Sequence, residues 1–344
     1  MQYDLIGRTG VMVSRMSLGA WTFTDNDQSM PHVSKVDPAL ADRLVGEAID
    51  AGINFFDTAD RYANGDSEIV LGRTLKARRN DALIATKVGI RNGSALTATG
   101  LSRRHIRMAL EASLKRLGTD WIDFYIVHRD DPFTPIEETL AALDEVVRAG
   151  LVRYIGFSNW PAWKAAAAIT LQRANGLAEF CHGQVHYSLV SRDVEYDYLP
   201  MARHFGIGTT VWSPLAMGFL SGKTSSSQGG EPPRHEIHNF IPFAEDIGAA
   251  TIASLRAIAD SRGVSPSQVS LAWLLAKQVS SVILGVTKQA HLHDSLKAID
   301  LTLTPGELAE LDRVSAIRPP YPLWHNLKVG DPPASKAMAH RAGR

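Results

Sequence analysis

Short apolar runs alternate with longer stretches of helical periodicity along most of the chain. The apolar runs predict eight buried strands, at Met16–Leu18, Asn54–Phe56, Ala82–Ala85, Phe124–Val127, Tyr154–Phe157, Gly183–Tyr187, Thr209–Trp212 and Val282–Leu284. The periodicity predicts helices before, between or after them, including Pro38–Ala51, Ser102–Leu117, Ile136–Ala149 and Ser265–Ala276. Strands that alternate with helices indicate parallel βα units. Eight such units predict a closed (β/α)8 TIM barrel.

Two segments fall outside the eightfold pattern. Residues 2–14 contain two short runs around Gly7 and Gly10, which predicts a β-hairpin that caps one end of the barrel. Pro305–Val314 predicts an extra helix, followed by a proline-rich tail. We therefore expect a single domain over residues 1–344, with the hairpin in 1–15, the barrel in 16–300 and the C-terminal helix and tail in 301–344.

Composition and charge narrow the class of protein. The chain has 344 residues, and its 36 Lys and Arg balance its 36 Asp and Glu, so nothing favours a nucleic acid or an anionic membrane as partner. The amino terminus lacks a signal-peptide pattern and no apolar run is long enough to span a bilayer, so we expect a cytoplasmic enzyme. The single cysteine, Cys181, excludes an internal disulfide and is expected to pack in a strand.

Polar side chains occupy the carboxyl ends of successive predicted strands. Asp57 and Tyr62 follow the second strand, Lys87 the third and His128 the fourth. In a TIM barrel the catalytic groups gather at this end of the strands. Each residue alone is more often a paired or solvated surface group, but their joint arrival predicts an active site. A doubly wound dinucleotide fold would need a G-x-G-x-x-G sequence after an early strand, and the chain has none.

Six motifs together resemble one enzyme family. They are "INFFDTADRY…SEIVLG", "TKVG", "YIVHRD", "RYIGFSNW", "GQVHYSLV" and "WSPLAMGFLSGK". In this order they resemble the aldo-keto reductase superfamily, in the branch that includes bacterial oxidoreductases and the β-subunits of voltage-gated potassium channels. The resemblance implies an (α/β)8 barrel that binds NADPH without a Rossmann fingerprint, and it implies hydride transfer between nicotinamide and a carbonyl or alcohol.

The resemblance also implies four catalytic roles. Tyr62 would donate a proton to the carbonyl oxygen, and Lys87 would supply the cation that favours the phenolate left behind, because an unperturbed phenol has a pKa of about 10. Asp57 would hold and neutralise Lys87, and His128 would align the substrate oxygen. The competing interpretation is a buried Asp57–Lys87 ion pair with the other two side chains merely packed nearby.

The resemblance implies a cofactor site as well. Its residues would be Gly19, Trp21, Asp57, Ser158, Asn159, Gln184, Trp212, Ser213, Pro214, Leu215, Gly218, Lys223, Gly285, Thr287, Lys288, His291, Asp294 and Ser295. We expect Ser158, Asn159 and Gln184 at the nicotinamide carboxamide and Trp212 against the ring. The segment 283–295 departs from the family pattern, with Asp294 for a usual Glu, Ser295 for Asn and His291 for Arg or Gln. NADPH is therefore expected over NADH by a modest margin.

The substrate is expected to be a small carbonyl or alcohol, in contact with Trp21, Tyr62, His128, Tyr321 and Trp324. The histidines have no carboxylate or cysteine at ligand spacing, so no metal is expected. Two other functions stay open beside the reductase: a nucleotide-sensing regulatory subunit on the same fold, and a Schiff-base aldolase that uses Lys87. The sequence leaves the oligomeric state, the substrate and the direction of reaction open.

Overall fold

Eight parallel strands close into a barrel in the computed structural model, which describes residues 1–25, 33, 35–222 and 240–338. These strands are β3 (Met16–Gly19), β4 (Phe55–Asp57), β5 (Leu83–Val88), β6 (Ile122–Val127), β7 (Val152–Ser158), β8 (Phe180–His186), β9 (Gly208–Trp212) and β10 (Ser281–Leu284). Each pairs with its neighbour in the chain, and β10 closes the ring against β3, where Val282 lies opposite Met16. The predicted (β/α)8 barrel is confirmed.

Helices surround the barrel. They are α1 (Pro38–Asp50), α2 (Asp66–Leu75), α3 (Arg103–Leu117), α4 (Ile136–Arg148), α5 (Ala162–Ala174), α6 (Tyr198–Phe205), α7 (Glu245–Arg262), α8 (Pro266–Leu275), α9 (Gln289–Leu296), α10 (Pro305–Val314), α11 (Leu323–Lys328) and α12 (Pro332–Met338). Asp37 caps α1 by accepting a hydrogen bond from the Leu40 N–H at 2.8 Å, and Pro38 occupies the first helical position. Ser102 and Ser265 cap α3 and α8 in the same way, so these helices begin one residue later than the sequence predicts.

The floor of the barrel is closed by the predicted hairpin. Its strands, β1 (Tyr3–Leu5) and β2 (Met12–Ser14), are antiparallel, with Tyr3 opposite Ser14. Ile6 and Val13 enter the small core inside the barrel. Gly7 lies at φ +58°, and a Cβ there would come within 2.5 Å of the Cys181 carbonyl oxygen. Only glycine therefore lets the hairpin turn approach the strands so closely.

Most of the hydrophobic core lies between the barrel and its helices. Cys181 is half-buried beside the inner core, as the second residue of β8. Burial raises the pKa of its thiol to about 12, so it stays protonated and serves as packing.

Two strand boundaries differ from the predicted ones by three residues, and the other barrel-strand boundaries differ by at most two. β5 runs three residues further than expected, to Val88, so that Lys87 lies within the strand and not after it. β8 begins three residues earlier, at Phe180. Both extensions arise from pairing with a neighbour, since Lys87 lies opposite Ile126 and His182 lies opposite Gly208. From the sequence alone, a polar residue indicates the end of a buried strand. In a barrel, however, a polar side chain within a strand can point into the lumen, so the strand continues past it.

The C-terminal region combines a correct prediction with a missed one. Helix α10 has the predicted bounds. The tail then contains α11 and α12, which the sequence analysis did not predict because of the prolines. Pro322 precedes the first residue of α11 and Pro332 begins α12, positions where proline needs no N–H partner. In the part of the chain that the structure describes, no helix is long and apolar enough to cross a bilayer.

Candidate active site

Asp57, Lys87 and Tyr62 are in direct contact at the carboxyl ends of β4 and β5. Lys87 is fully buried, and its ammonium lies 2.6 Å from Asp57 Oδ1 and 2.8 Å from the Thr58 carbonyl oxygen. Its third hydrogen bond goes to the Tyr62 hydroxyl oxygen at 3.3 Å. Because the Tyr62 oxygen accepts this bond, its own proton is free to be donated elsewhere.

The protonation states of this trio follow from burial and from the ion pair. Burial alone lowers the pKa of Lys87, but the Asp57 carboxylate and the hydrogen bonds outweigh it and raise the pKa above its usual value. Burial raises the pKa of Tyr62, and the Lys87 ammonium opposes this without reversing it. Lys87 is thus a cation and Tyr62 a neutral phenol at neutral pH.

His128 lies directly against Tyr62. It follows β6, its N–H donates to the Val88 carbonyl oxygen at 2.8 Å, and its ring meets the Tyr62 ring edge-on with centroids 5.6 Å apart. Burial, with the nearby Lys87 and Arg129 charges, holds the pKa of His128 well below its usual value. The imidazole is therefore neutral and carries one N–H, which allows it to donate a hydrogen bond without adding charge.

The next three strand ends bring together the residues predicted at the nicotinamide. Ser158 lies opposite Gln184 on β7 and β8, and Gln184 Nε2 donates to Asp57 Oδ2 at 2.7 Å. Asn159 donates to the His128 carbonyl oxygen at 2.9 Å and accepts from Trp212 Nε1 at 3.2 Å. A hydroxyl group, two amides and a half-buried indole thus form one connected group beside the Asp57–Lys87 pair.

Several residues near this group have a left-handed backbone, which side chains other than glycine rarely adopt. Ala63 and Asn64, directly after Tyr62, have φ of 46° and 51°. Asn159 has φ of 56° and Ser213 of 51°. Strain of this kind collects at functional sites, where the surrounding structure holds it in place. Among the non-glycine residues that the structure describes, it is confined to the segments that position the predicted site residues and to the turn that follows them.

That turn continues into the segment predicted to run over the pyrophosphate. Ser213, Pro214 and Leu215 follow β9 and lead into a 3₁₀ helix over Ala216–Ser221, within which Gly218 has φ of 96°. The Ser213 hydroxyl accepts the Met217 N–H at 3.1 Å. Lys223, predicted in the same segment, lies outside the described residues.

The predicted adenosine segment surrounds the start of α9. Gly285 and Lys288 are exposed, Thr287 is half-buried, and no side chain caps the helix. His291 is exposed, whereas Ser295 is buried. Both carboxylate oxygens of Asp294 are engaged elsewhere, since they accept hydrogen bonds from Ser265 at 2.8 Å and from Gln268 at 2.7 Å. Its role as an adenosine contact stays a prediction.

The remaining predicted residues differ in their placement. Gly19 ends β3 opposite Asp57, and a Cβ there would lie 2.8 Å from Ile283 Cγ2. The Trp21 ring lies 6.4 Å from the Tyr62 ring, at the mouth of the barrel. Tyr321 is 74% exposed and packs on Trp324 at 6.2 Å within the tail. The substrate roles of both tail residues stay predictions.

Two features of the site were missed by the sequence analysis. Thr58 contributes only its main-chain oxygen to Lys87, which no side-chain pattern could reveal. Asp60 is 2% exposed and its main chain is bonded to the end of β5, although "DTADRY" already showed a second acid three residues after Asp57. Within the described ranges, no three His, Cys, Asp or Glu side chains come together as a metal site.

Comparison with known proteins identifies the family. The family described as Aldo/keto reductase family matches residues 15–316, so the chain belongs to it. Members of this family carry out NAD(P)H-dependent oxidoreduction of carbonyl compounds. The barrel, its strand-end cluster and this match define the chain as an oxidoreductase of that family.

Three relatives illustrate the range of the family. A probable voltage-gated potassium channel subunit beta from Oryza sativa subsp. japonica is 36% identical over 330 residues, which cover 93% of this chain and 98% of that one. The uncharacterized oxidoreductase YrpG of Bacillus subtilis (strain 168) is 35% identical over 91% of this chain and 96% of its own length. An aldo-keto reductase of Fusarium vanettenii is 33% identical, covering 93% and 92%.

Proposed function

We propose that the chain is an NADPH-dependent reductase of aldehydes or ketones, able to run in reverse as an alcohol dehydrogenase. One observation carries the proposal. The Tyr62 hydroxyl accepts a hydrogen bond from a buried ammonium at 3.3 Å, lies against the neutral His128 ring, and keeps its own proton available. This is the arrangement that a proton donor to a carbonyl oxygen requires.

Asp57, Tyr62, Lys87 and His128 form a catalytic tetrad in this proposal, and the residues around the tetrad fit a nicotinamide cofactor. The Ser158 hydroxyl and the Asn159 and Gln184 amides can satisfy a carboxamide, and the half-buried Trp212 offers a ring face. When bound, the reduced cofactor supplies the hydride that converts C=O to an alkoxide. The start of α9, with Thr287 and Lys288, would hold the 2′-phosphate, because an uncapped helix N-terminus and a lysine both favour anions.

Each residue of the tetrad either donates a proton or hydrogen bond to the substrate oxygen or stabilises a charge. His128 donates a hydrogen bond that fixes the substrate oxygen, and Tyr62 gives that oxygen its proton. The resulting phenolate is stabilised by Lys87, whose ammonium already points at it. Asp57 neutralises the ammonium, and Gln184 holds the other carboxylate oxygen. In the oxidative direction the Tyr62 phenolate acts as the base and takes the proton from the alcohol.

A second candidate function is nucleotide sensing in a regulatory subunit. The observation that favours it is the likeness to the rice protein, whose name is that of a potassium channel subunit beta. An intact tetrad is compatible with both functions, so turnover must decide between them. A regulatory subunit would bind NADPH tightly and consume it slowly with every carbonyl offered.

The experiment is a panel of aldehydes, ketones and secondary alcohols, assayed by NADPH absorbance with the full chain. We expect at least one carbonyl to be reduced with kcat in the usual enzymatic range of about 1 s⁻¹ or more. NADPH binding without turnover across the panel would favour the regulatory subunit. Covalent trapping of a carbonyl on Lys87 by borohydride, without any need for NADPH, would instead indicate an aldolase.

A further inference from the structure

Asp60 is a buried acid that the tetrad does not use. It lies between β4 and Tyr62 and is 2% exposed. Its N–H donates to the Lys87 carbonyl oxygen at 3.2 Å, and its carbonyl oxygen accepts from Asn92 Nδ2 at 2.6 Å. The main chain therefore fixes Asp60 to the strand end that carries Lys87, and its side chain has little freedom to move into solvent.

The neighbouring acids, Asp57 and Glu68, each form an ion pair, and Asp60 differs from them. Asp57 is compensated by Lys87 at 2.6 Å. Glu68, fully buried, is compensated by Arg116 at 2.6 Å, and its second oxygen accepts from the Thr86 hydroxyl at 2.5 Å. In contrast, the buried Oδ1 of Asp60 has no hydrogen-bond partner among the described residues.

A carboxylate with an unpartnered oxygen is costly in a buried environment, so this acid favours its neutral form. Burial, followed by the repulsion of Glu68 on α2, raises the pKa of Asp60 to about 8. Arg116 on α3, the Arg61 N–H and Lys87 on β5 oppose this rise without cancelling it. A charge on Asp60 in turn acts on two tyrosines, since it raises the pKa of Tyr62 and, on β6, that of Tyr125.

We propose that Asp60 is a positioning residue for proton transfer at Tyr62: it is held uncharged in the working protein, and its ionisation opposes formation of the Tyr62 phenolate. The proposal rests on the proposed function, since it assigns a role in that same proton transfer. Asp60 touches neither the substrate nor the reacting atoms. It acts electrostatically, through the negative charge that it gains on ionisation close to Lys87 and Tyr62.

The sign of the effect follows from this arrangement. In mildly alkaline solution Asp60 becomes negative, and a negative charge nearby makes the Tyr62 phenolate harder to form. Alcohol oxidation needs the phenolate as base. The alkaline rise in its kcat/KM is therefore expected at a higher pH when Asp60 is present than when it is replaced by a neutral residue. Two unit charges about 10 Å apart shift each other by about one pKa unit at an effective dielectric of about 20.

The first test measures the titration of Asp60 itself. Carbon-13 NMR of the full chain with labelled aspartate carboxyls, compared with Asp60→Asn, identifies the resonance that the variant lacks. We expect this resonance to titrate with a midpoint of about 8. A midpoint close to the ordinary value of about 4 would overturn the proposal.

The second test measures the coupling to Tyr62. The pH dependence of kcat/KM for alcohol oxidation is compared between wild type and Asp60→Asn, which keeps the shape of the neutral carboxyl. We expect the alkaline rise to move down by about half to one pH unit. The control is Asp144→Asn, another buried acid, paired with Arg148 on α4, which is expected to leave the midpoint in place. An unshifted midpoint in Asp60→Asn would overturn the proposal.

The two proposals can fail separately. If the wild type turned over no alcohol or carbonyl, the proposed function would fail, while the Asp60 titration would remain measurable. The coupling would then be measured from the phenolate absorbance of Tyr62, obtained by subtraction of the Tyr62→Phe spectrum, with and without Asp60→Asn. An equal phenolate midpoint in both backgrounds would again contradict the role of Asp60.

Discussion

Two clusters of paired charges in this molecule look alike and are used differently. At the mouth of the barrel, Asp57 and Lys87 form a buried pair at 2.6 Å. Outside the barrel, Arg192 forms a pair with Glu195 at 2.8 Å, and Lys277 with Asp312 at 2.7 Å, around the fully buried Trp273. Both clusters lie between elements distant in sequence, and both place cations close to an aromatic ring.

The outer cluster is a closed hydrogen-bond network. Arg192 donates to both carboxylate oxygens of Glu195, to the Asp312 carbonyl oxygen at 2.7 Å and to the Ser315 hydroxyl at 2.9 Å. Asp312 in turn accepts from Trp273 Nε1 at 2.9 Å and from Lys277. These bonds tie the loop after β8 and helix α8 to α10. Each of these hydrogen bonds joins two groups that hold structural elements together.

The mouth cluster differs in where its last hydrogen bond goes. Lys87 donates to Tyr62, whose own proton is then directed away from the pair. The comparison teaches that a buried ion pair does not by itself indicate function. What distinguishes the mouth is the direction of the tyrosine hydrogen bond: the Tyr62 hydroxyl accepts from Lys87 and keeps its own proton, whereas in the outer cluster the Tyr187 hydroxyl donates its proton to Glu195 Oε1 at 2.5 Å.

Lys87→Met should damage both activity and stability. Reduction is expected to fall by at least about a hundredfold, because the Tyr62 phenolate loses its cation. Asp57 would be left as an unpaired buried charge, which costs about 3–5 kcal/mol of unfolding free energy. The measurements are kcat/KM with its pH profile, and urea unfolding. Lys164→Met, which removes a partly exposed pair with Asp130 near the mouth, is the control and should change neither by much.

Arg192→Met should affect stability alone. The Arg192 side chain is 11% exposed. Its loss removes the donor to the Ser315 hydroxyl oxygen and leaves Glu195, which keeps its bond from the Tyr187 hydroxyl, without the cation that pairs with it, so we expect a loss of about 3 kcal/mol in unfolding free energy. At a temperature where the variant is folded, kcat should stay within about twofold of wild type, because Arg192 lies outside the proposed active site. A twofold change in kcat corresponds to less than about 0.5 kcal/mol in ΔΔG‡. Arg313→Met, on α10 beside Asp312 and with a side chain that is 70% exposed, should cost less than about 1 kcal/mol. A kcat loss in Arg192→Met as large as that in Lys87→Met would erase the distinction between the clusters.

Much of this architecture could be predicted from the sequence, because its signals are local. The eight strands, the hairpin and the α10 bounds follow from apolar periodicity and from helix-start signals such as the cap Asp37 and the first-position proline Pro305. The tetrad contact could be anticipated, since parallel strand ends meet at one rim. The extension of β5 past Lys87 could not, because it depends on pairing with β6. The Arg192 network could not either, since its partners lie up to 123 residues away.

Lys288→Ala should change cofactor selectivity without changing the chemistry. Lys288 is exposed at the start of α9, and one charge-assisted hydrogen bond to a phosphate contributes about 1.5–3 kcal/mol. NADPH binding is therefore expected to weaken by roughly tenfold or more, while NADH binding and kcat stay nearly the same. Titration of both cofactors against wild type and Lys297→Ala, an exposed lysine just after α9, checks this. Equal losses for NADPH and NADH would show that Lys288 does not contact the 2′-phosphate.

Glu307→Gln should have the smallest effect, and one that depends on pH. Glu307 accepts two hydrogen bonds from Arg262, at 2.8 and 2.7 Å, and this interaction lowers its pKa to about 2. Because the folded pKa is depressed, the stabilisation is present above the unfolded value of about 4.3 and is lost as the pH falls towards 2. The Gln amide oxygen can keep the capping box with Thr304, but its NH2 group cannot accept the second hydrogen bond from Arg262, so the charge and the bidentate pairing are removed together. Unfolding at neutral pH should show a deficit of at most about 1 kcal/mol, which vanishes in acid; a deficit constant with pH would argue against the ion pair.

The most direct test of the central claim, that the mouth cluster presents the Tyr62 proton to a substrate, is kcat/KM for carbonyl reduction in Tyr62→Phe beside Tyr198→Phe. Both variants remove one hydroxyl from a tyrosine, and Tyr198 is bonded only to scaffold, with Thr209 Oγ1 at 3.4 Å. We expect Tyr62→Phe to lose at least about a hundredfold in kcat/KM while NADPH affinity and melting temperature stay close to wild type. Tyr198→Phe should retain turnover within about threefold, the margin of an effect under about 1 kcal/mol. Full turnover in Tyr62→Phe would contradict the account, because the proton would then reach the substrate from another group.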